Sequence, residues 1–477
     1  MKLTMTKLEA LSEDISLERA IKDLINEHDI KHMDEGEDYY HNENHAVMSK
    51  QRYYYDENKE KRTDKTKINR KIPHSWQKIL VDQKTSYLVG EPPNIQAESE
   101  QFDEKLNELL DEDFADDLQE LSKGASNKGV EWLHVYIDNE EEGINKLKYT
   151  IIPAQEVIPI WDSQHQKELE AVIRYYYVWH GTKQRKKVEY HDKEGVIYYM
   201  EAENGELIPD GEENSYDEEG NVVKTPHFYR NGQEESWGKV PFIPFKNNEE
   251  MKGDLTYYKA LIDEYDLTQS NHADNLAEVQ DIIWVLKNYQ GTSLAEFQEN
   301  LRFHKAMKTD GEGGAEVKQT EVPSDAKEKH LQRISEDIFL FGMGIDFKTD
   351  KFGQSPSGVA LKFMYSLLDL KADIMARKFK RSIKDFIWFL TEYLRLAGEG
   401  DYRNDKVTIT FNKSKIMNEA EQVQMANQSK GVISDDTILA NHPWVEDVEA
   451  EKEKIEQQQE DIVNLDDLEA QQEGEEE

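Results

Sequence analysis

The chain has 477 residues, enough for two to four domains or subdomains, and carries 59 Lys and Arg against 99 Asp and Glu, a formal net charge of −40. The absence of cysteine excludes disulfide frameworks, thiolate metal sites and cysteine nucleophiles. Only 37% of residues are apolar and 33% are charged, which implies large solvated surfaces, while 23 Tyr, 16 Phe and 8 Trp exclude wholesale disorder.

Residues 1–125 read as mostly helical. Apolar residues recur at three- and four-residue spacing over 17–28 and 76–89. Phe102, Leu106, Leu109, Leu110, Phe114, Leu118 and Leu121 trace the same stripe along one further helix. Between the first two lies KEKRTDKTKINRK, residues 59–71, with seven Lys/Arg against two acids. It reads either as a solvated loop or as a contact with an acidic neighbour or nucleic acid.

From 129 to 250 the period changes to two. Residues 130–136, 148–152, 172–179 and 196–200 are predicted strands of an antiparallel sheet, separated by turn clusters such as Glu219-Gly220-Asn221. The proline-spaced segment 237–245 (WGKVPFIPF) closes this region.

A helix is predicted over 253–279. Leu255, Tyr258, Leu261, Ile262, Tyr265, Leu276 and Val279 form its apolar stripe, and Asp263, Glu264, Asp266, Asp274 and Glu278 its acidic face. Such a face is ordinarily solvated, and in a ring it would sum to a field. Residues 280–323 are predicted as a small α/β insertion: a strand over 282–289, a short helix over 294–303, and a hairpin over 307–322 around Gly311 to Gly314. A helix follows over 324–341. The insertion is thus bracketed by two helices of similar length, the plan of a stalk with a head.

A polar loop punctuated by Gly353, Pro356 and Gly358 then opens into a helix predicted over 357–397. At 1.5 Å per residue this helix spans roughly 60 Å. It is apolar on more than one side, which implies burial against several elements or against neighbouring subunits. Residues 406–411 (KVTITF) form one more strand, and shorter helices follow 414. Residues 446–477 hold 15 acids and two lysines, with disorder expected at the end.

Catalytic constellations are weak. His28 and His32 stand four apart, but EHDIKH lacks the metalloprotease order. Gly311 to Gly314 is not followed by Gly-Lys-Ser/Thr. The acid runs Asp111-Glu112-Asp113 and Asp116-Asp117, and the triplet Asp369, Asp373 and Asp385, are what 99 acids produce by chance. No Gly-x-Ser-x-Gly elbow occurs. The longest strongly apolar run, 386–390, falls far short of the ~20 residues of a membrane helix. The N-terminus lacks the apolar segment of a signal peptide. The expectation is a soluble structural or interaction protein, without cofactor or metal, used in the cytoplasm. Its acidity argues against tight general nucleic-acid binding but allows non-adhesive proximity to DNA.

Four segments together carry a resemblance: 76–93 (WQKILVDQKTSYLVGEPP), 240–247 (VPFIPFKN), 263–276 (DEYDLTQSNHADNL) and 357–371 (SGVALKFMYSLLDLK). In them the chain resembles portal proteins of tailed bacteriophages, of the siphophage type found in phages of Gram-positive hosts. The resemblance covers nearly the whole chain. It implies an α+β, elongated portal fold and a non-enzymatic ring of roughly a dozen subunits at one capsid vertex. By this likeness, residues 1–252 are the wing, helical first and an antiparallel sheet second. Residues 253–279 and 324–343 are the two stem helices, 280–323 the clip, and 344–357 the tunnel loop. Residues 358–413 are the long helix and closing strand of the wing, and 414–477 the crown and acidic tail.

The resemblance further implies that Lys348, Thr349, Asp350, Lys351, Phe352, Gln354 and Ser355 face DNA in the tunnel. Asp263, Glu264, Asp266, Asp274 and Glu278 become the acidic stem face. Trp284, Tyr289, Phe297 and Phe303 belong to the clip, which docks the terminase and later a head–tail adaptor. Major capsid or scaffolding protein surrounds the ring, and no membrane is involved. The alternatives are a metal-dependent DNA-processing enzyme and another head–tail structural ring.

Overall fold

The computed structural model describes residues 3–138, 146–230, 232–278, 283–287, 314–318, 324–346, 358–413 and 419–440, with scattered positions from 442 to 455. The chain divides into two units. The first comprises Met1–Gly344 and Leu370–Lys413, the second Ile345–Asp369 and Ser414–Glu477.

The first unit begins with α1 (Met5–Asp14), α2 (Leu17–Glu27), α3 (Lys31–Tyr40) and the single turn α4 (His45–Met48). Ala20, Ile21, Leu24 and Ile25 bury one stripe of α2, as the helical period requires. A ribbon of β1 (Tyr53–Tyr55) and β2 (Lys61–Thr63) follows, then α5 (Trp76–Val89) and β3 (Asn94–Ala97). The stripe from Phe102 to Leu121 is not one helix. It is divided into α6 (Glu100–Leu109) and α7 (Glu112–Lys128). Asp111 causes the break: its carboxylate accepts the Phe114 N–H at 3.2 Å and caps α7. Gly129 ends α7 at φ +96°, where a Cβ would overlap the Met251 carbonyl.

The sheet region holds β4 (Val130–Asp138), β5 (Lys146–Ile152), β6 (Val157–Trp161), β7 (Leu169–His180), β8 (Lys183–Asp192), β9 (Val196–Glu201) and β10 (Leu207–Pro209). The short strands β11 (Ser215–Tyr216), β12 (Val222–Val223), β13 (Phe228–Arg230) and β14 (Gln233–Glu235) precede β15 (Phe242–Lys246). One antiparallel sheet runs β10-β9-β8-β7-β6, and a second runs β15-β4-β5. Leu8, Ile21, Leu24, Ile160, Ile173, Val188 and Tyr199 join α1 and α2 to the first sheet in one core. β15 lies at a sheet edge with Pro244 opposite Trp132, where a missing N–H is tolerated.

A 3-10 turn at Asp254–Tyr257 leads into α8 (Lys259–Glu278). β16 (Ile283–Lys287) and β17 (Gly314–Lys318) pair antiparallel, and α9 (Ser324–Gly342) packs back on α8. β17, the described part of the hairpin expected over 307–322, pairs with β16, the strand expected over 282–289, and so joins the two ends of the insertion. The expected helix over 294–303 lies outside the described residues. Tyr39, Trp76, Leu80, Leu255, Tyr258, Ile262, Ile334 and Ile338 form the core where α3, α5, α8 and α9 meet.

The long helix α10 (Gly358–Ala397) begins in the second unit and continues into the first. Met375, Phe379, Ile383, Phe386, Leu390 and Leu394 are buried. Phe245 meets Phe379, and Phe114 stacks on Phe386. Leu370 and Ile374 stay exposed, so the apolar excess read from the sequence is only partly absorbed within the chain. β18 (Val407–Thr410) pairs with β3. In the second unit, α11 (Glu419–Ser429) and α12 (Asp435–Ala440) follow, with Ser434 Oγ accepting the Thr437 N–H at 3.3 Å.

Candidate functional site: the two-helix stalk and its buried charges

Part of the expected site falls outside the described residues: Lys348, Thr349, Asp350, Lys351, Phe352, Gln354 and Ser355 in the loop, and Tyr289, Phe297 and Phe303 in the insertion. Trp284 sits in β16 opposite Val317. The acidic residues of α8 are described, apart from the Glu278 side chain.

Those residues do not form a uniformly solvated face. Asp266 and Asp274 are fully buried. Asp263, Asp266, Ser270 and Asp274 follow three- and four-residue spacing, so they share one side of α8. Residues 39–52 and 70–74 lie along that side. Asp263 accepts the Tyr39 hydroxyl at 2.5 Å and Lys259 at 2.9 Å. Burial and the Asp263 carboxylate both push the Tyr39 phenol well above its ordinary value. Asp266 meets Asn44 Nδ2 and His74 Nδ1, each at 2.7 Å. Ser270 Oγ accepts the Ile72 N–H at 3.0 Å. Asp274 receives Lys50 Nζ at 2.5 Å and the Arg70 N–H at 2.8 Å, with Arg52 at 3.6 Å. A carboxylate can be buried when donors of this kind surround it. The expectation of an exposed acidic field is therefore corrected for Asp266 and Asp274. Glu264 does remain exposed and faces His330 of α9 at 3.4 Å.

A second buried network ties the base of this helix pair. Lys84 Nζ of α5 reaches Asn247 Oδ1 at 2.8 Å and Asp254 Oδ2 at 2.7 Å. Lys371 Nζ of α10 meets the same Asp254 oxygen at 2.9 Å and the Gly342 carbonyl, at the end of α9, at 2.8 Å. Asn247 Nδ2 donates to Asp254 Oδ1 at 2.9 Å. Burial lowers the Lys84 ammonium to about 8, with Asp254 opposing and Lys371 reinforcing the shift. Burial alone would raise the Asp254 carboxyl, but Lys371 and Lys84 outweigh it and hold it well below its usual range. Beside this network, Gln77 donates to Asn127 Oδ1 at 2.8 Å and accepts the Tyr258 hydroxyl at 2.6 Å.

The chemistry available here is mechanical. Asp254 lies where α8 begins and Gly342 where α9 ends, and Lys371 joins them to the long helix. A cavity of about 300 Å³ elsewhere in the first unit is lined by Trp161, Lys239, Lys246, Lys378, Arg381 and Asp385. Three of its cations are already engaged: Lys378 pairs with Glu249 at 2.5 Å, Lys239 covers Trp388 and Lys246 covers Trp161. Among the described residues, no group of three or more His, Asp or Glu could hold a metal ion.

Each of the four resemblance-bearing segments contributes to these networks. Gln77 and Lys84 come from the first, Asn247 from the second, Asp263, Asp266, Ser270 and Asp274 from the third, and Lys371 from the fourth. Sequence reasoning missed Lys84, Asn247, Asp254 and Lys371 as members of a buried network. The signal available was a lone charge inside an apolar helical stripe, as with Lys84 in ILVDQKTSYLV.

Residues 20–465 match the family model for the phage portal protein, SPP1 Gp6-like. The portal protein of Bacillus phage SPP1 is 38% identical over 450 residues, covering 92% of this chain and 86% of that protein. The portal protein of Clostridium phage phiCD119 is 32% identical over 395 residues, covering 81% and 84% respectively.

Proposed function

This chain belongs to the SPP1 Gp6-like family of phage portal proteins, and we infer from that membership that it forms the portal ring through which its phage's DNA is packaged. It is a structural protein, not an enzyme. The observation that carries this reading is the match across residues 20–465.

Within that function the parts divide as follows. The chain up to residue 252, with residues 358–413, is the wing. α8 and α9 are the stem, and the insertion 280–323 is the clip, docking terminase during packaging and a head–tail adaptor afterwards. Support comes from the packing of α8 against α9 and from the antiparallel pairing of β16 with β17 across the insertion. Trp284, Tyr289, Phe297 and Phe303 belong to this clip. Residues 344–357 are the tunnel loop, in which Lys348, Lys351, Gln354 and Ser355 touch passing phosphates without reading sequence. Residues 414–477 are the crown and acidic tail. The stem field comes from Glu264 and the other exposed acids rather than from Asp266 or Asp274. The ring sits at the capsid vertex, encircled by capsid or scaffolding protein. No helix among the described residues is long and apolar enough to cross a membrane.

Deleting residues 349–354 tests the loop's role. Packaged DNA should fall steeply while ring yield stays near that of the intact chain. Parallel loss of rings and packaging would refute the assignment.

A further inference from the structure

The ribbon of β1 and β2 is a two-stranded sheet on its own, with Tyr53 opposite Thr63, Tyr54 opposite Arg62 and Tyr55 opposite Lys61. Every residue in both strands is exposed. The three consecutive tyrosines are 48%, 49% and 72% exposed. A ribbon with neither face covered is marginal in water, and adjacent exposed aromatics mark contact surfaces. The base of the ribbon is nevertheless fixed: Lys50, Arg52 and Arg70 converge on the buried Asp274, and Ile72 is bonded to Ser270. The ribbon therefore projects from a rigid point on α8.

We propose that this ribbon is an inter-subunit arm that seats its tyrosines on an acidic surface of a second copy of the chain. The proposal rests on the portal reading and names the partner of one element within it. Charge complementarity selects the partner. Residues 59–71 carry seven Lys/Arg against two acids in a chain of net charge −40, so another copy offers the opposite sign. The ribbon's own contacts disfavour nucleic acid. Arg62 is committed to Asp56 at 3.0 Å and Glu60 at 2.6 Å, and Lys61 Nζ lies 3.8 Å from the Tyr53 ring centre. With those two cations engaged within the ribbon, the tyrosines are its contact surface, while Lys59, Lys65 and Lys67 around it supply the charge that complements an acidic copy, and tyrosine is enriched in protein interfaces. An arm on one copy meeting a different surface on the next is a heterologous contact, the kind that closes rings.

The test uses the full chain, intact and as the triple variant Tyr53→Ser, Tyr54→Ser, Tyr55→Ser, compared by native mass spectrometry and light scattering. The intact chain should form rings. The variant should need at least about tenfold more protein to assemble, with an unchanged circular dichroism spectrum, because the ribbon is exposed in a single chain. In parallel, a benzophenone side chain placed at position 55 should crosslink the ribbon to an acidic segment of a second copy. Normal assembly of the triple variant, or crosslinks confined to one copy or to nucleic acid, would overturn the arm alone. An intact chain that never assembles would overturn the portal reading and the arm with it.

Discussion

Replacing Asp254 by Ala removes the single carboxylate that Lys84 and Lys371 share at 2.7 and 2.9 Å. The side chains of Lys84 and Asp254 are 0% and 5% exposed, so water cannot take the carboxylate's place without opening the core. Breaking a buried pair from one side costs about 3–5 kcal/mol, and here two ammonium groups and Asn247 Nδ2 lose an acceptor together. At about 1.4 kcal/mol per decade, amide exchange over residues 76–89 and 254–258 should accelerate by about two to three and a half decades, read by hydrogen-exchange mass spectrometry. Lys84→Met with Asp254→Leu should recover most of the loss, because swapping a buried pair for apolar groups is often close to neutral. An acceleration under tenfold in Asp254→Ala would refute the view that this pair holds the stalk base.

Glu131 of β4 supplies a pH test. Burial raises its carboxyl to about 7, against the opposing pull of Lys128. The folded chain then holds the proton to higher pH than the unfolded chain does, so the contribution is full below 4.5 and is lost as pH rises through about 7. The urea midpoint of the intact chain should fall relative to Glu131→Gln between pH 5 and 8, and parallel curves would reject this. Burial lowers the His227 imidazole to about 4, with His191 adding to the shift. Its contribution is therefore lost as pH falls from 6.5 towards 4, and NMR titration should find the ring neutral at pH 5.5. A Cβ on Gly36 would overlap the Asn127 carbonyl where α3 crosses α7. Gly36→Ala should cost about 1–3 kcal/mol in chemical denaturation, whereas Gly205→Ala, in open space at φ +78°, should cost less.

Elements with a strong apolar period were legible from the residues alone. The spans expected for α2, α5, α9 and α10 match the observed helices within a residue or two. β8 was not, because its first half, KQRKK, is polar on both faces and draws its register from β7 and β9. The α6–α7 break was hidden because the apolar stripe continues across it, while the capping Asp111 resembles the acids around it. The α8 acids were misread for a long-range reason. Asp266 and Asp274 are matched by Asn44, Lys50 and His74, some 190 to 225 positions earlier in sequence, and nothing local distinguishes them from Glu264. The stalk networks became visible only when the four conspicuous segments were seen to converge.

Electron micrographs of the purified full chain test the central claim most directly. The account requires closed rings of roughly a dozen copies around an open axial hole, wide enough to admit double-stranded DNA. A field of single small particles, unchanged across salt and protein concentration, would contradict it.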